Sequence, residues 1–161
     1  MMAKKTLAMR GFTLIELVVS LAILALLATM AYPMGEVIVQ RNKEQDLRKA
    51  LRQIREGIDV YKQFYDDGHI LKKLNATGYP PSLSTLVDGV QDAKSPEEKK
   101  VYFLRRVPRD PFAPADIPAE DSWGLRSYDS SHDSPQSGDD VFDVYSQAEG
   151  NGLNGIPYQE W

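Results

Sequence analysis

The chain has 161 residues, enough for one domain with an appendage, and it contains no cysteine. The lack of cysteine excludes a disulfide framework, a thiolate metal site and a thiol nucleophile. The formal net charge is -4, and the first eleven residues carry three basic residues and no acid, so residues 12–161 carry -4 minus 3, or -7. An acidic body does not suggest nucleic acid as a partner.

The first predicted element is an apolar helix over residues 12–32, in which eleven of 21 residues are Leu, Ile, Val or Phe. A helix of that length measures about 31 Å, the thickness of a bilayer core. Its apolar residues favour insertion by about 3 to 7 kcal/mol, whereas one carboxylate at the helix centre costs about 2.5 to 3.5 kcal/mol. We therefore predict a single membrane span, with a cytoplasmic N-terminus because the preceding segment is basic. A secretory signal peptide is disfavoured because its apolar core is only about 7–15 residues long.

Glu16 is the one acid inside this span. An acid within a membrane needs a partner, and the span contains no Lys, Arg or His. Cleavage between Gly11 and Phe12, where the basic leader ends in a small residue, would create a positive amine at Phe12, four residues before Glu16. The sequence thus predicts a leader over residues 1–11, a membrane helix over 12–32 and an external domain over 33–161.

The segment RGFTLIELVVSLAILALLATMAYP resembles the N-terminal signal of type IV pilins and type II secretion pseudopilins. The resemblance implies that a prepilin peptidase cuts after Gly11 and methylates Phe12. It also implies that Glu16 meets the N-terminal amine of a neighbouring subunit during filament assembly. The implied partners are further copies of the chain, minor pseudopilins, the prepilin peptidase, the inner-membrane assembly platform and membrane lipid, without nucleic acid.

A second helical pattern follows the span. Proline at position 33 predicts a kink or a helix end, because it removes a backbone hydrogen bond. Beyond it, six apolar residues recur at spacings of three and four, which predicts one buried stripe of a helix that ends near Gly68. The stripe consists of Leu47, Leu51, Ile54, Ile58, Tyr61 and Tyr65. If the two helical patterns are continuous, one helix covers residues 12–67; a short coiled coil is the alternative to packing on a domain.

The rest of the chain predicts a short helix within 79–87, a charged loop over 91–100 and three strands over 101–107, 123–129 and 141–146. In the last strand, alternation predicts Phe142 and Val144 on one face. A long N-terminal helix followed by a small antiparallel sheet of about three strands is an α+β arrangement, and its order resembles the pilin fold.

Three further stretches resemble the G-type major pseudopilin of type II secretion: YFLRRVPRDPF, WGLRSYDSS and FDVYSQAEG. The resemblance implies a structural subunit of a periplasmic filament, anchored in the bacterial inner membrane, that drives protein export. The alternatives are a major or minor type IV pilus pilin, used for adhesion, motility or DNA uptake, and a membrane-anchored binding domain that does not polymerise.

The sequence offers no enzyme motif. The run SSHD over 130–133 joins Ser, His and Asp, but a catalytic triad is built from positions in space rather than from sequence neighbours. His69 is expected to be solvated after the helix end. The chain is therefore predicted not to be an enzyme.

Calcium is the one cofactor that the G-type resemblance implies, in the loop after the last strand. Calcium takes six to eight oxygen ligands, and residues 146–161 contain no aspartate. We therefore expect no cofactor, although calcium stays possible. In its place, Ile156, Tyr158 and Trp161 are expected to fix the loop by apolar packing.

Overall fold

The computed structural model describes residues 12–72, 74, 76–97 and 99–161, without the side chains of residues 30–34. It divides into two compact units, the first ending at Val39 and the second running from Gln40 to Trp161. Within these described ranges the elements are a long helix, a second short helix and four short strands. They are α1 (Leu14–Asp66), α2 (Leu83–Asp88), β1 (Val90–Gln91), β2 (Lys100–Val101), β3 (Trp123–Arg126) and β4 (Asp143–Ser146), with 3-10 turns at Glu120–Ser122 and Tyr158–Glu160.

Helix α1 confirms the predicted helix over 12–67 to within two residues. It ends in a Schellman motif, in which Gly68 adopts a φ of 79° and the His69 N–H donates to the Phe64 carbonyl at 3.1 Å. The helix assignment continues across position 33. The side chain of Pro33 lies outside the described residues, so the kink predicted there stays a prediction.

In the described part of the first unit, helix α1 exposes an apolar surface. The large apolar side chains from Phe12 to Leu27 are all more than half exposed, from 51% at Val19 to 82% at Leu14. Among the residues that the structure describes, no helix is both long enough and apolar enough to span a membrane.

The second unit contains the core, and α1 supplies one side of it. All six residues of the predicted stripe are buried, at 9% exposure or less, so that prediction is confirmed. Five of the six, all but Tyr65, pack in one cluster with apolar side chains from α2, the loops, the strands and the C-terminal turn. These are Leu83, Leu86, Leu104, Val107, Trp123, Val141, Val144 and Tyr158. Helix α1 thus covers one side of the core, which confirms packing on a domain.

The strands form two separate antiparallel pairs rather than one sheet of about three strands. β1 pairs with β2, and β3 pairs with β4 in a register that sets Trp123 opposite Ser146. The α+β, pilin-like class is confirmed, but the strand predicted over 101–107 is wrong beyond Val101. The N–H groups of Phe103 and Leu104 both donate to the carbonyl of Leu86 in α2, so they cannot pair with a strand.

Two smaller predictions are also wrong. β4 starts at Asp143, and Phe142 lies before it, half-buried, while Val144 and Ser146 share the buried face. His69 is only partly exposed: its Nδ1 lies 2.8 Å from Asp92 Oδ1, and its ring stacks on Phe64. The contact with Asp92 could not be predicted from the sequence around Gly68, because the two residues are 23 positions apart.

Candidate processing and assembly site

Two of the residues predicted for processing and assembly, Phe12 and Glu16, lie at the start of α1. Gly11 lies outside the described residues. Phe12 is described, precedes the helix and is 79% exposed. Glu16 lies in the first helical turn.

Glu16 and Thr13 cap the helix together. The Thr13 N–H and hydroxyl each lie 3.4 Å from Glu16 Oε2, and the Glu16 N–H donates to Thr13 Oγ1 at 3.3 Å. This is a capping box, in which a hydroxyl residue before the helix and an acid three residues later satisfy each other's backbone donors. The negative charge also lies at the positive end of the helix dipole. The carboxylate is therefore fixed one turn from Phe12, on an exposed helix surface.

Thr13 is the residue that the sequence reasoning missed. The motif Thr-x-x-Glu over 13–16 was its signal. It gives Glu16 a partner within its own chain, so the lack of a cation in the span does not by itself require a partner in another chain. Any role of Glu16 in assembly has to be separated from its role in the cap.

A second group of polar residues, also missed, fixes the end of the chain onto α1. Glu44 is 6% exposed, and its Oε1 accepts the Tyr158 hydroxyl at 3.0 Å and the Leu153 N–H at 2.8 Å. Position 44 lies three residues before Leu47 and so continues the spacing of the buried stripe. That spacing was the available signal for a buried acid.

The C-terminal turn packs as expected for two of its three apolar residues. Tyr158 is 4% exposed and packs between Phe112 at 4.4 Å and Trp161 at 5.2 Å, measured between ring centroids. The Arg48 guanidinium lies 4.4 Å from the centre of the Trp161 ring. Ile156 is 45% exposed, so its predicted packing is wrong. The backbone of Ile156 makes the contact instead, because its carbonyl accepts a hydrogen bond from Trp161 Nε1 at 3.2 Å.

Two comparisons with known proteins agree with the resemblances that the sequence motifs indicate. Residues 8–32 match the model of the prokaryotic N-terminal methylation motif. The chain is 33% identical over 113 residues to the type II secretion system core protein G of Dickeya chrysanthemi, across 64% of this chain and 63% of that protein. The chain thus spans a little under two thirds of the length of the curated relative that it matches. No solved structure matches the chain.

Proposed function

We propose that this chain is a type II secretion pseudopilin, a structural subunit that is stored in the bacterial inner membrane and assembles into a periplasmic filament. The methylation motif and the similarity to a type II secretion core protein support this reading. They do not favour a type IV pilus pilin or a tethered binding domain. The subunit does mechanical rather than chemical work.

The observation that carries the proposal is the exposed first part of α1. From residue 14 to residue 29 the helix has large apolar side chains that are all more than half exposed, whereas the second unit has an ordinary buried core. An apolar surface this extensive needs lipid or other apolar helices around it. Storage in a membrane followed by packing among the helices of a filament provides both environments in turn.

The proposal assigns roles to three residues. The prepilin peptidase cuts between Gly11 and Phe12 and methylates Phe12. The new amine of Phe12 then pairs with Glu16 of a neighbouring copy, which supports the assembly of subunits in register. The partners are other copies, minor pseudopilins, the peptidase, the assembly platform and lipid.

Intact mass of the membrane-extracted protein tests the processing step. In cells with a prepilin peptidase, the chain should begin at Phe12 and carry one methyl group, and in cells without the enzyme it should begin at Met1. A mature chain that begins at Tyr32, or one that stays uncut when the peptidase is present, would overturn the proposal.

A further inference from the structure

The C-terminal segment, residues 147–161, packs against α1 through side-chain hydrogen bonds with both Glu44 and Arg55. Its turn is closed by backbone hydrogen bonds, Gly152 N–H to Ile156 O at 2.9 Å and Gly155 N–H to Gly152 O at 2.8 Å. The Asn154 side-chain oxygen accepts the Ile156 N–H at 3.1 Å. A Cβ at Gly152 would collide with the Trp161 ring, so the ring lies directly on the turn.

Helix α1 holds this segment with two charged side chains of opposite sign. Glu44 accepts the Leu153 N–H and the Tyr158 hydroxyl, as described above. Eleven residues later, Arg55 donates through Nη2 to the carbonyls of Val144 at 3.0 Å and Trp161 at 2.8 Å. The first side chain accepts from two donors of the segment, and the second donates to the last carbonyl of the segment and to a carbonyl of β4. We call this pair the α1 clamp.

The calcium that the G-type resemblance implies does not fit this segment. Calcium needs six to eight oxygens, several of them carboxylate. Two of the nearby carboxylates already have partners: Asp143 binds Arg55 at 2.7 Å, and Asp110, which is 1% exposed, accepts the Ser146 hydroxyl at 2.6 Å. Within the described part of the chain, no three His, Cys, Asp or Glu residues lie close enough to share a metal ion.

We propose that the α1 clamp, Glu44 with Arg55, fixes the C-terminal segment in the place of a metal, so that folding of this subunit does not depend on calcium. Like a bound ion, the clamp places charge against polar groups of the segment: the buried carboxylate of Glu44 accepts from the Leu153 N–H and the Tyr158 hydroxyl, and the partly exposed guanidinium of Arg55 donates to the Trp161 carbonyl. The charges come from α1 itself, so the segment is fixed as soon as the core forms. The expectation of calcium rests on the proposed function, whereas the clamp rests on the contacts alone.

Thermal melting of the full chain in detergent tests the proposal. The chain is melted in excess calcium, in magnesium and in chelator, as wild type and as Glu44→Gln, Tyr158→Phe and Glu56→Gln. Glu44→Gln loses the buried charge, and Tyr158→Phe removes one hydroxyl but keeps the aromatic packing. Glu56 is exposed on the same helix and provides the matched control.

The wild type should melt at the same temperature in all three solutions. Glu44→Gln should lower Tm by about 4 °C or more, and Tyr158→Phe by a smaller amount, equally with calcium and with chelator. Glu56→Gln should leave Tm unchanged. If Glu44→Gln does not fold, Tyr158→Phe decides the outcome.

A rise in the wild-type Tm with calcium, absent with magnesium, would overturn the proposal, and so would a Tyr158→Phe variant as stable as the wild type. A different result would contradict the proposed function without affecting the clamp. A chain with an uncut N-terminus and a calcium-independent Tm would contradict the assignment as a pseudopilin and leave the clamp standing.

Discussion

Arg55 Nε lies 2.7 Å from Asp143 Oδ1, and this ion pair joins helix α1 to strand β4. The guanidinium also reaches the Trp161 carbonyl, so one side chain connects the helix, the strand and the end of the chain. A partly exposed ion pair contributes only about 0–1 kcal/mol by itself. The larger part of the contribution therefore comes from the backbone carbonyls that Arg55 satisfies.

Arg55→Lys should destabilise the second unit by about 1–2 kcal/mol, because a lysine keeps the charge but cannot bind three acceptors in the same fork geometry. The matching fall in Tm is about 3–6 °C. Arg52→Lys, at an exposed position on the same helix, is the control. If the two variants melt alike, the contacts of Arg55 contribute nothing beyond its charge.

Asp140 provides a prediction about acid stability. Burial by itself would raise the pKa of this carboxyl, but hydrogen bonds from the Thr77 hydroxyl, the Tyr128 N–H and the Ser127 hydroxyl together lower the pKa below its ordinary value. A carboxyl with a lowered pKa stabilises the folded state above its unfolded-state pKa of about 3.9, and this stabilisation is lost as the pH falls through the folded-state pKa.

Asp140→Asn should therefore lower Tm at neutral pH, and the difference from wild type should shrink as the pH falls below about 4. Asp139→Asn, at the exposed neighbouring position, should follow the wild-type pH profile. Circular dichroism melts across a pH series measure both. A difference between Asp140→Asn and wild type that stays constant down to acid pH would show that ionisation of Asp140 is not what stabilises the fold.

Separation of the two units gives a further prediction. A chain that starts at Gln40 keeps the whole buried stripe and drops the exposed apolar helix surface, so it should be soluble, largely monomeric and cooperative in melting. A chain that starts at Ile70 loses the six stripe residues that cover the core and should aggregate. Gel filtration and circular dichroism compare the two. A cooperatively folded chain from Ile70 onwards would show that α1 is not needed for the core.

The parts of the fold that sequence could predict are those set by local spacing. The stripe from Leu47 to Tyr65 follows the period of a helix, and Gly68 supplies the backbone conformation that ends it. The strand over 101–107 could not be rejected in this way, because its amides bond to a carbonyl in α2 that lies far away in the sequence.

The residues of the candidate site show the same difference between local patterns and contacts that are distant in sequence. Gly11, Phe12 and Glu16 were found because they belong to one short motif. Glu44 was missed, since a charged residue is usually exposed and its partners, Leu153 and Tyr158, lie more than 100 residues away. Only the spacing of position 44 to the stripe indicated that it would be buried.

The capping box makes Glu16 the most informative position for the proposed function. A glutamine at position 16 can still accept from Thr13 and so preserve the cap, but it carries no charge for a neighbour's amine. Glu16→Val removes both. Thr13→Ser keeps a hydroxyl in the cap and leaves the charge in place, which makes it the matched control.

Chemical crosslinking of cells that express these variants, with processing checked by mass, therefore tests whether the charge of Glu16 joins one subunit to the next. All variants should be cut after Gly11, wild type and Thr13→Ser should give ladders of crosslinked subunits, and both Glu16→Gln and Glu16→Val should lose them. A Glu16→Gln chain that polymerises like the wild type would contradict the account, because Glu16 would then act as a helix cap and not as the charge that joins one subunit to the next.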